Sequence, residues 1–387
     1  MARHSITAHI AFCLLAVIAF SRPIHAAECV KDYTDSPSTA EACTARLREP
    51  NLSNDERSVI VETRGRALYD MGRLDAAALD FDQAIALSSD PGEIRVSRGY
   101  VALDQGDFPT AIKNATLAQA EKPDSARPYA LIGRIKSRML DLSGATEAYR
   151  KAISIKPNFG VYHYELFLVL ESWAHDREAL EEADSTSRLP DSELDAQNTI
   201  NWWGGRTSLR TAIGIERGKL FKLMGRFDDA EKAYDDAVRN TPSAPAYAQR
   251  ADFHRSREAA ADIIQYDIDK ALALDPGFWL GHAVQAELDN DQKNTNGALS
   301  EYAKAAQLYP QLGWIHWQRA LVLRDVGRVD EATAEALTAI QIDSDLFRSK
   351  SRELSKRGYL REEAAGTDPM PAIHDAVQAC MLDERCL

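Results

Sequence analysis

The stretch Arg217-Gly218-Lys219-Leu220-Phe221-Lys222-Leu223-Met224-Gly225-Arg226-Phe227-Asp228-Asp229-Ala230-Glu231-Lys232-Ala233-Tyr234-Asp235-Asp236-Ala237, followed by Pro242, decides the fold. Two apolar-periodic segments of about a dozen residues each flank the glycine turn Met224-Gly225-Arg226. Gly218, Ala230 and Ala237 are small where two helices must approach closely. Tyr234 fills the space they leave, and Pro242 ends the second helix without breaking it. The same unit recurs. Pro123 and Pro157 lie 34 residues apart, and Pro242, Pro276 and Pro310 repeat that step, while the gap from Pro157 to Pro242 carries 17 residues too many for two steps. A fixed period of this size denotes one supersecondary unit copied along the chain.

With proline at position 32 of a 34-residue frame, eight units begin at Ser58, Gly92, Ala126, Gly160, Thr211, Pro245, Trp279 and Gly313. Position 20 is alanine in every unit but the sixth, which has Ile264, and position 27 in every unit but the fourth, which has Thr186. Position 24 is Phe81, Tyr149, Tyr234 or Tyr302 in four units. Position 8 is Gly65, Gly99, Gly133 or Gly218 in four, while Phe167, Asp252 and Ala286 depart from that pattern in units four, six and seven. Small residues at 8, 20 and 27, an aromatic at 24 and proline at 32 resemble the tetratricopeptide repeat. The match is clearest in Arg64-Gly65, Gly72-Arg73-Leu74-Asp75, Ala77, Phe81 and Ala84, and again from Arg217 to Pro242. The resemblance implies an all-α, right-handed solenoid of about eight helix pairs over residues 58–345, with an insertion at about 191–210.

The flanks read differently. Residues 1–26 have the form of a signal peptide: Arg3 and His4, an apolar run from Ile6 to Phe20, and small residues for cleavage after Ala26 or Ala27. The run is shorter than the ~20 residues that span a bilayer, and Glu28 before Cys29 spoils a lipid-attachment site. The expectation is a periplasmic or secreted protein without integral membrane association after cleavage. Removing residues 1–26 takes the net charge from −13 to −15. An acidic chain of this kind is a poor nucleic-acid binder, because phosphate attraction requires clustered Lys and Arg.

Cys29 and Cys43 lie in one flank (27–57), Cys380 and Cys386 in the other (346–387), and none lies in the repeats. An oxidising compartment favours disulfides. The ends of a repeat stack stand far apart, whereas bridged Cα atoms lie within about 7 Å, so the expected pairs are Cys29–Cys43 and Cys380–Cys386. The second requires the last helix to turn near Leu382. The N-terminal pair before the first repeat also resembles exported bacterial members of the family. Both flanks are read as caps. Leu354-Ser355-Lys356-Arg357-Gly358-Tyr359 with Ala372 to Ala379 faintly resembles a small peptidoglycan-binding module, without its glycine-rich centre.

No catalytic constellation, metal motif or phosphate loop is present in the sequence, and no cofactor is expected. His163, His175, His254, His282, His316 and His374 read as scattered. In the family the first helix of each repeat lines the groove through positions 5, 9 and 12, here including Glu62, Arg66, Tyr69, Val96, Tyr100, Arg134, Tyr164, Leu168, Lys219, Phe253 and Trp317. Interface energy concentrates in aromatic and Arg side chains, which favours Tyr69, Tyr100, Arg134, Phe253 and Trp317 as contacts for a protein or peptide segment, with Tyr164 and Lys219 beside them. Trp317 and Phe253 read equally as core. The family's carboxylate clamp needs Lys and Asn where this chain has Glu62 and Arg66. Trp202 and Trp203 in the insertion read either as a flap onto the groove or as packing for the fourth unit. The overall expectation is a non-catalytic interaction scaffold, with a wall-associated binding factor as the alternative.

Overall fold

The computed structural model describes Cys29 and residues 36–196, 198–200, 206–360 and 370–383. The signal-like segment 1–26, Trp202, Trp203 and Cys386 lie outside the described residues. The chain forms two compact units, one to Leu140 and one from Asp141. The first contains α1 (Ser36–Arg46), α2 (Asn54–Asp70), α3 (Leu74–Leu87), α4 (Gly92–Asp104), α5 (Phe108–Glu121) and α6 (Ala126–Arg138). The second opens with α7 (Leu142–Ile155), α8 (Gly160–Ser172), α9 (Asp176–Ser187) and α10 (Asp191–Ala196). A two-stranded antiparallel ladder, β1 (Asn198–Ile200) and β2 (Arg206–Ser208), follows. Then come α11 (Leu209–Leu223), α12 (Phe227–Asn240), α13 (Ala244–Ser256), α14 (Ala261–Leu274), α15 (Trp279–Asp291), α16 (Thr295–Leu308), α17 (Gly313–Asp325), α18 (Val329–Ile342), α19 (Ser344–Lys356) and α20 (Met370–Leu382).

The repeat frame explains the core. Alanines 77, 111, 145, 179, 230, 298 and 332 at position 20 are fully buried, as are Ala84, Ala118, Ala152, Ala271, Ala305 and Ala339 at position 27. A β-carbon added at Gly218 would come within 2.7 Å of the Tyr234 ring, and one at Gly65 within 3.3 Å of the Phe81 ring. The glycine at 8 is thus the seat of the aromatic at 24. Unit four keeps the sum but moves the bulk: Phe167 at position 8 and Ala183 at position 24 are both fully buried.

Each first helix ends in a residue of positive φ at position 15: Gly72, Gly106, Leu140, Ala174, Gly225, Lys293 and Gly327. In the first repeat the Arg73 amide donates to the Leu68 carbonyl and Gly72 to Tyr69, the hydrogen-bond pair of a Schellman turn. Unit six is the exception. Its left-handed residue is Glu258 at position 14, and its Arg250–Asp267 bond spans 17 residues where Arg64–Asp80 and Arg319–Glu335 span 16. The first helix of that unit has slipped by one residue, with the extra residue taken up in the turn before α14. Ala251, fully buried, therefore occupies the small position that the proline frame assigned to Asp252.

Cys29 and Cys43 are bonded, anchoring α1, whose Cys43 is fully buried. Cys380 is disulfide-bonded and α20 ends at Leu382. Replacing Cys29 and Cys43 by serine opens a loop with a sequence separation of 14, and is expected to cost about 3 kcal/mol. Loss of hydrogen-exchange protection confined to α1 and α2 is the measurement. Unchanged protection there contradicts a clamping role. The described residues of the surplus between units four and five form α10 and the β1–β2 ladder. Leu194 and Leu209 at its two ends are buried, and the Leu209 side chain sits where a β-carbon on Gly160 would fall.

Candidate interaction face

The first helices lie beside one another within each unit, α2 with α4 and α4 with α6, then α8 with α11, α11 with α13 and α13 with α15. Their side chains sort by position. Position 5 is buried in every repeat: Glu62, Val96, Ala130, Tyr164, Ile215, Ala283, Trp317 and, in the slipped unit, Ala248. It packs between neighbouring helices and presents nothing. Position 9 is partly exposed in every repeat: Arg66, Tyr100, Arg134, Leu168, Lys219, Asp252, Glu287 and Leu321. Position 12, which includes Tyr69, Glu171, Lys222 and Arg255, is partly exposed except at Leu103.

This ordering corrects three sequence-based expectations. Tyr164 and Trp317 sit at position 5 and are 4% and 3% exposed. Tyr164 stacks near Phe167, and the Lys350 ammonium lies over the Trp317 ring at 4.7 Å. Phe253, assigned to position 9 by the proline frame, is at position 10 after the slip and packs on Tyr234 at 5.2 Å, 2% exposed. All three rings are core. Tyr69, Tyr100, Arg134 and Lys219 remain on the face.

In the first unit the Arg134 guanidinium lies 5.4 Å over the Tyr100 ring, a cation–π contact. The Tyr69 hydroxyl donates to the Asp104 carboxylate. Burial and that carboxylate push the Tyr69 phenol well above its usual range. Arg66 donates to Glu62 one turn earlier at 2.6 Å.

In the second unit the face is a line of alternating charge that steps from helix to helix. Lys219 pairs with buried Glu216 at 3.2 Å, and Lys222 with Asp252 of the next repeat at 3.2 Å. Arg255 meets Glu287 at 2.8 Å and Asp291 at 3.4 Å, both one repeat on. Acids outnumber bases, and the excess is visible in two carboxyls. Glu171 is pushed up to about 7 by burial and then by the Glu216 charge. Burial likewise carries Glu287 to about 7, with Arg255 pulling it down and Asp252 and Asp291 pushing it up. Burial also holds Lys219 below the usual lysine range, against the upward pull of Glu216. The proline frame misses Asp252 and Arg255 because it cannot register a slip in the first helix. Glu171 and Lys222 are legible at position 12 but lack the aromatic character that favours a residue as a binding anchor.

Three histidines that read as scattered share position 4. His163, His282 and His316 each direct Nδ1 at the glutamate of position 23 in the same repeat: Glu182, Glu301 and Glu335. Nε2 of His163 and His282 meets the carbonyl of the preceding repeat's proline, Pro157 and Pro276, at 2.7 and 3.0 Å. The imidazole thus clips one repeat to the next. No group of three His, Cys, Asp or Glu among the described residues is arranged to hold a metal ion. No described helix is long and apolar enough to cross a membrane.

Two tetratricopeptide repeat family models match residues 63–126 and 126–159. The chain is 14% identical to a tetratricopeptide repeat protein from Parabacteroides merdae ATCC 43184, with a TM-score of 0.51 over 69% of this chain and 98% of that one. That likeness concerns the fold alone. Residues 63–159 carry tetratricopeptide repeats, within an all-α helical repeat architecture. Hsp70-Hsp90 organizing protein 1 of Glycine max is 22% identical over 251 residues, 64% of this chain. U-box domain-containing protein 70 of Oryza sativa subsp. japonica is 26% identical over 157 residues, 39% of this chain. The chain spans only 41% and 19% of the length of these curated relatives. Repeats of this kind characterise protein-interaction scaffolds.

Proposed function

We propose that this chain is a non-catalytic scaffold of the bacterial periplasm or secreted fraction, holding a segment of a partner protein on its first-helix face. The observation that carries the reading is the sorting of side chains by position. Alanine and glycine fill the interior, while position 9 keeps polar, aromatic or aliphatic side chains partly open to water in all eight repeats. A scaffold whose core is set by small residues is free to vary that position from repeat to repeat. The leader-like N-terminus and the bonded Cys29–Cys43 pair support export. Glu62 and Arg66 in the clamp positions favour a partner other than one that offers a terminal carboxylate there. Packing supports the cap reading of the C-terminal segment over wall binding. Ile373, Ala376, Val377, Cys380 and Met381 of α20 are buried, and α20 lies against α18.

The test is partner capture with Tyr100→Ala and Arg134→Ala. Tyr100 packs on the core cluster of α4 and beneath Arg134, so the paired variant is expected to lose a few degrees of melting temperature, and capture is compared at a temperature where both chains are folded. Capture should fall at least ten-fold, as for a hot-spot pair. Undiminished capture by the folded variant removes this part of the face from the interaction.

A further inference from the structure

A cleft of about 640 Å³ lies in the first unit between α1 and the first helix pair. One wall is apolar, with Pro37 and Ala40 from α1 facing Met71, Ala76 and Leu79. Its charged lining is Arg48, Arg64, Arg73, Glu41 and Asp80. Arg64 and Asp80 satisfy each other through two 2.7 Å bonds. That leaves two arginines against Glu41. Arg48 and Arg73 are exposed and form no ion pair among the described residues.

The repeats themselves say what is missing. Where position 16 is basic elsewhere, it pairs with a carboxylate at position 19: His175–Glu178 at 3.3 Å, Arg226–Asp229 at 2.7 Å and Arg328–Glu331 at 2.6 Å. In the first repeat position 16 is Arg73 and position 19 is Ala76, so the guanidinium has no carboxylate one turn on and lines the cleft. Position 22 departs in the same place. It is exposed in all eight repeats and holds Lys113, Glu147, Glu181, Lys232, Tyr266, Ser300 and Ala334 in the others, but Leu79 in the first, 72% exposed. The first repeat thus has no carboxylate at position 19 and an exposed leucine at position 22, both at one mouth.

We propose that this cleft binds an acidic segment of a partner protein, a carboxylate side chain taking the place of residue 19 against Arg73 and Arg48 and an apolar side chain lying on Leu79 and Met71. Charged and apolar contacts of this kind set specificity by complementarity at a modest buried area. The site rests on the scaffold reading but is separate from the first-helix face, so the two can fail independently.

The probe is a fluorescein-labelled peptide with blocked ends and the sequence Glu-Leu-Glu-Glu-Leu-Glu, read by anisotropy against the exported, oxidised chain. The same peptide with Gln for Glu is the comparison. The acidic peptide is expected to bind at least ten-fold more tightly than the Gln peptide. Arg73→Gln and Leu79→Glu, both at exposed positions, should each weaken it ten-fold or more, and Lys232→Ala, exposed on α12, should leave it unchanged. Equal binding of the two peptides, no binding of either, or indifference to Arg73→Gln overturns the proposal. Loss of binding with Arg134→Ala instead of Arg73→Gln also overturns it and assigns the acidic segment to the first-helix face.

Discussion

Arg250→Met is expected to destabilise the second unit by about 3–5 kcal/mol, the cost of leaving a buried charge without its partner. Asp267 is 1% exposed and receives two bonds from Arg250, at 2.7 and 2.9 Å. Arg250 also donates to Asp235 at 2.7 Å, and His254 stands 3.3 Å from Asp267. Burial alone would raise the Asp267 carboxyl. Bonds from His254 and Arg250 outweigh it and hold the group below the usual carboxylate range. Without Arg250 the carboxylate remains buried among α13 and α14 with only the histidine beside it. The variant Arg250→Met, Asp267→Leu removes both charges and should recover most of the loss, because apolar replacement of a buried pair is close to neutral. Hydrogen exchange in α13 and α14 under urea measures both, since a repeat array need not unfold in one step. A double variant no more stable than the single one contradicts the assignment.

The melting temperature is expected to rise by roughly 5 °C as the pH falls from about 8 to about 6, and to go on rising to a maximum near 4–5. The sign follows from the groups that hold their protons more tightly when folded. Burial would lower His163, but the bond to Glu182, the Pro157 carbonyl and the Glu182 charge carry it above its ordinary value. Both its ring nitrogens face acceptors, which suits the imidazolium. Its contribution is complete below the unfolded value of about 6.5 and is lost as pH rises through the higher folded one. Glu171 and Glu287, at about 7 when folded and about 4.3 when unfolded, act with the same sign: folding binds protons, so stability falls as pH rises through 7. A tenfold gain in proton affinity on folding corresponds to about 1.4 kcal/mol. Glu171 is partly open to water, whose screening reduces its share, and about 2 kcal/mol is a reasonable total, equivalent to several degrees.

At lower pH the opposite class takes over. Asp267, Glu301 and Glu353 stand below their ordinary values, so their contribution is present above the unfolded value of about 4 and disappears as pH falls through the folded one. Glu287→Gln should raise the melting temperature at pH 8 and flatten the slope between 6 and 8. A melting temperature that climbs steadily from pH 6 to 8 would contradict this balance.

The proline ruler makes the repeat legible because proline fixes where each second helix stops. It carries no information about the first helix, whose end is set by a left-handed residue. In units three, four, six and seven that residue is Leu140, Ala174, Glu258 or Lys293, none of which announces a turn. That is why the slip in unit six is invisible in the sequence and the frame puts Phe253 on the surface. The exchange of Phe167 for Ala183 looks like a defect in sequence and is a preserved volume in space. Position 5 misleads for a different reason: large residues such as Tyr164 and Trp317 are compatible with either a groove or an interhelical seam, and only the helix spacing decides. The position-4 histidines are visible as a period, but their meaning requires Glu182, Glu301 and Glu335 on the partner helix, always 19 residues away.

The first-helix face as a protein-binding surface is tested most directly by site-specific photo-crosslinking in the cell that makes the protein. A benzophenone side chain replaces Tyr100 at position 9 or, as the control, Lys113 on the exposed side of α5. The same discrete protein adduct is predicted from Tyr100 and absent from Lys113. Adducts of equal yield from both positions, or none from Tyr100 while Lys113 captures a protein, would contradict it.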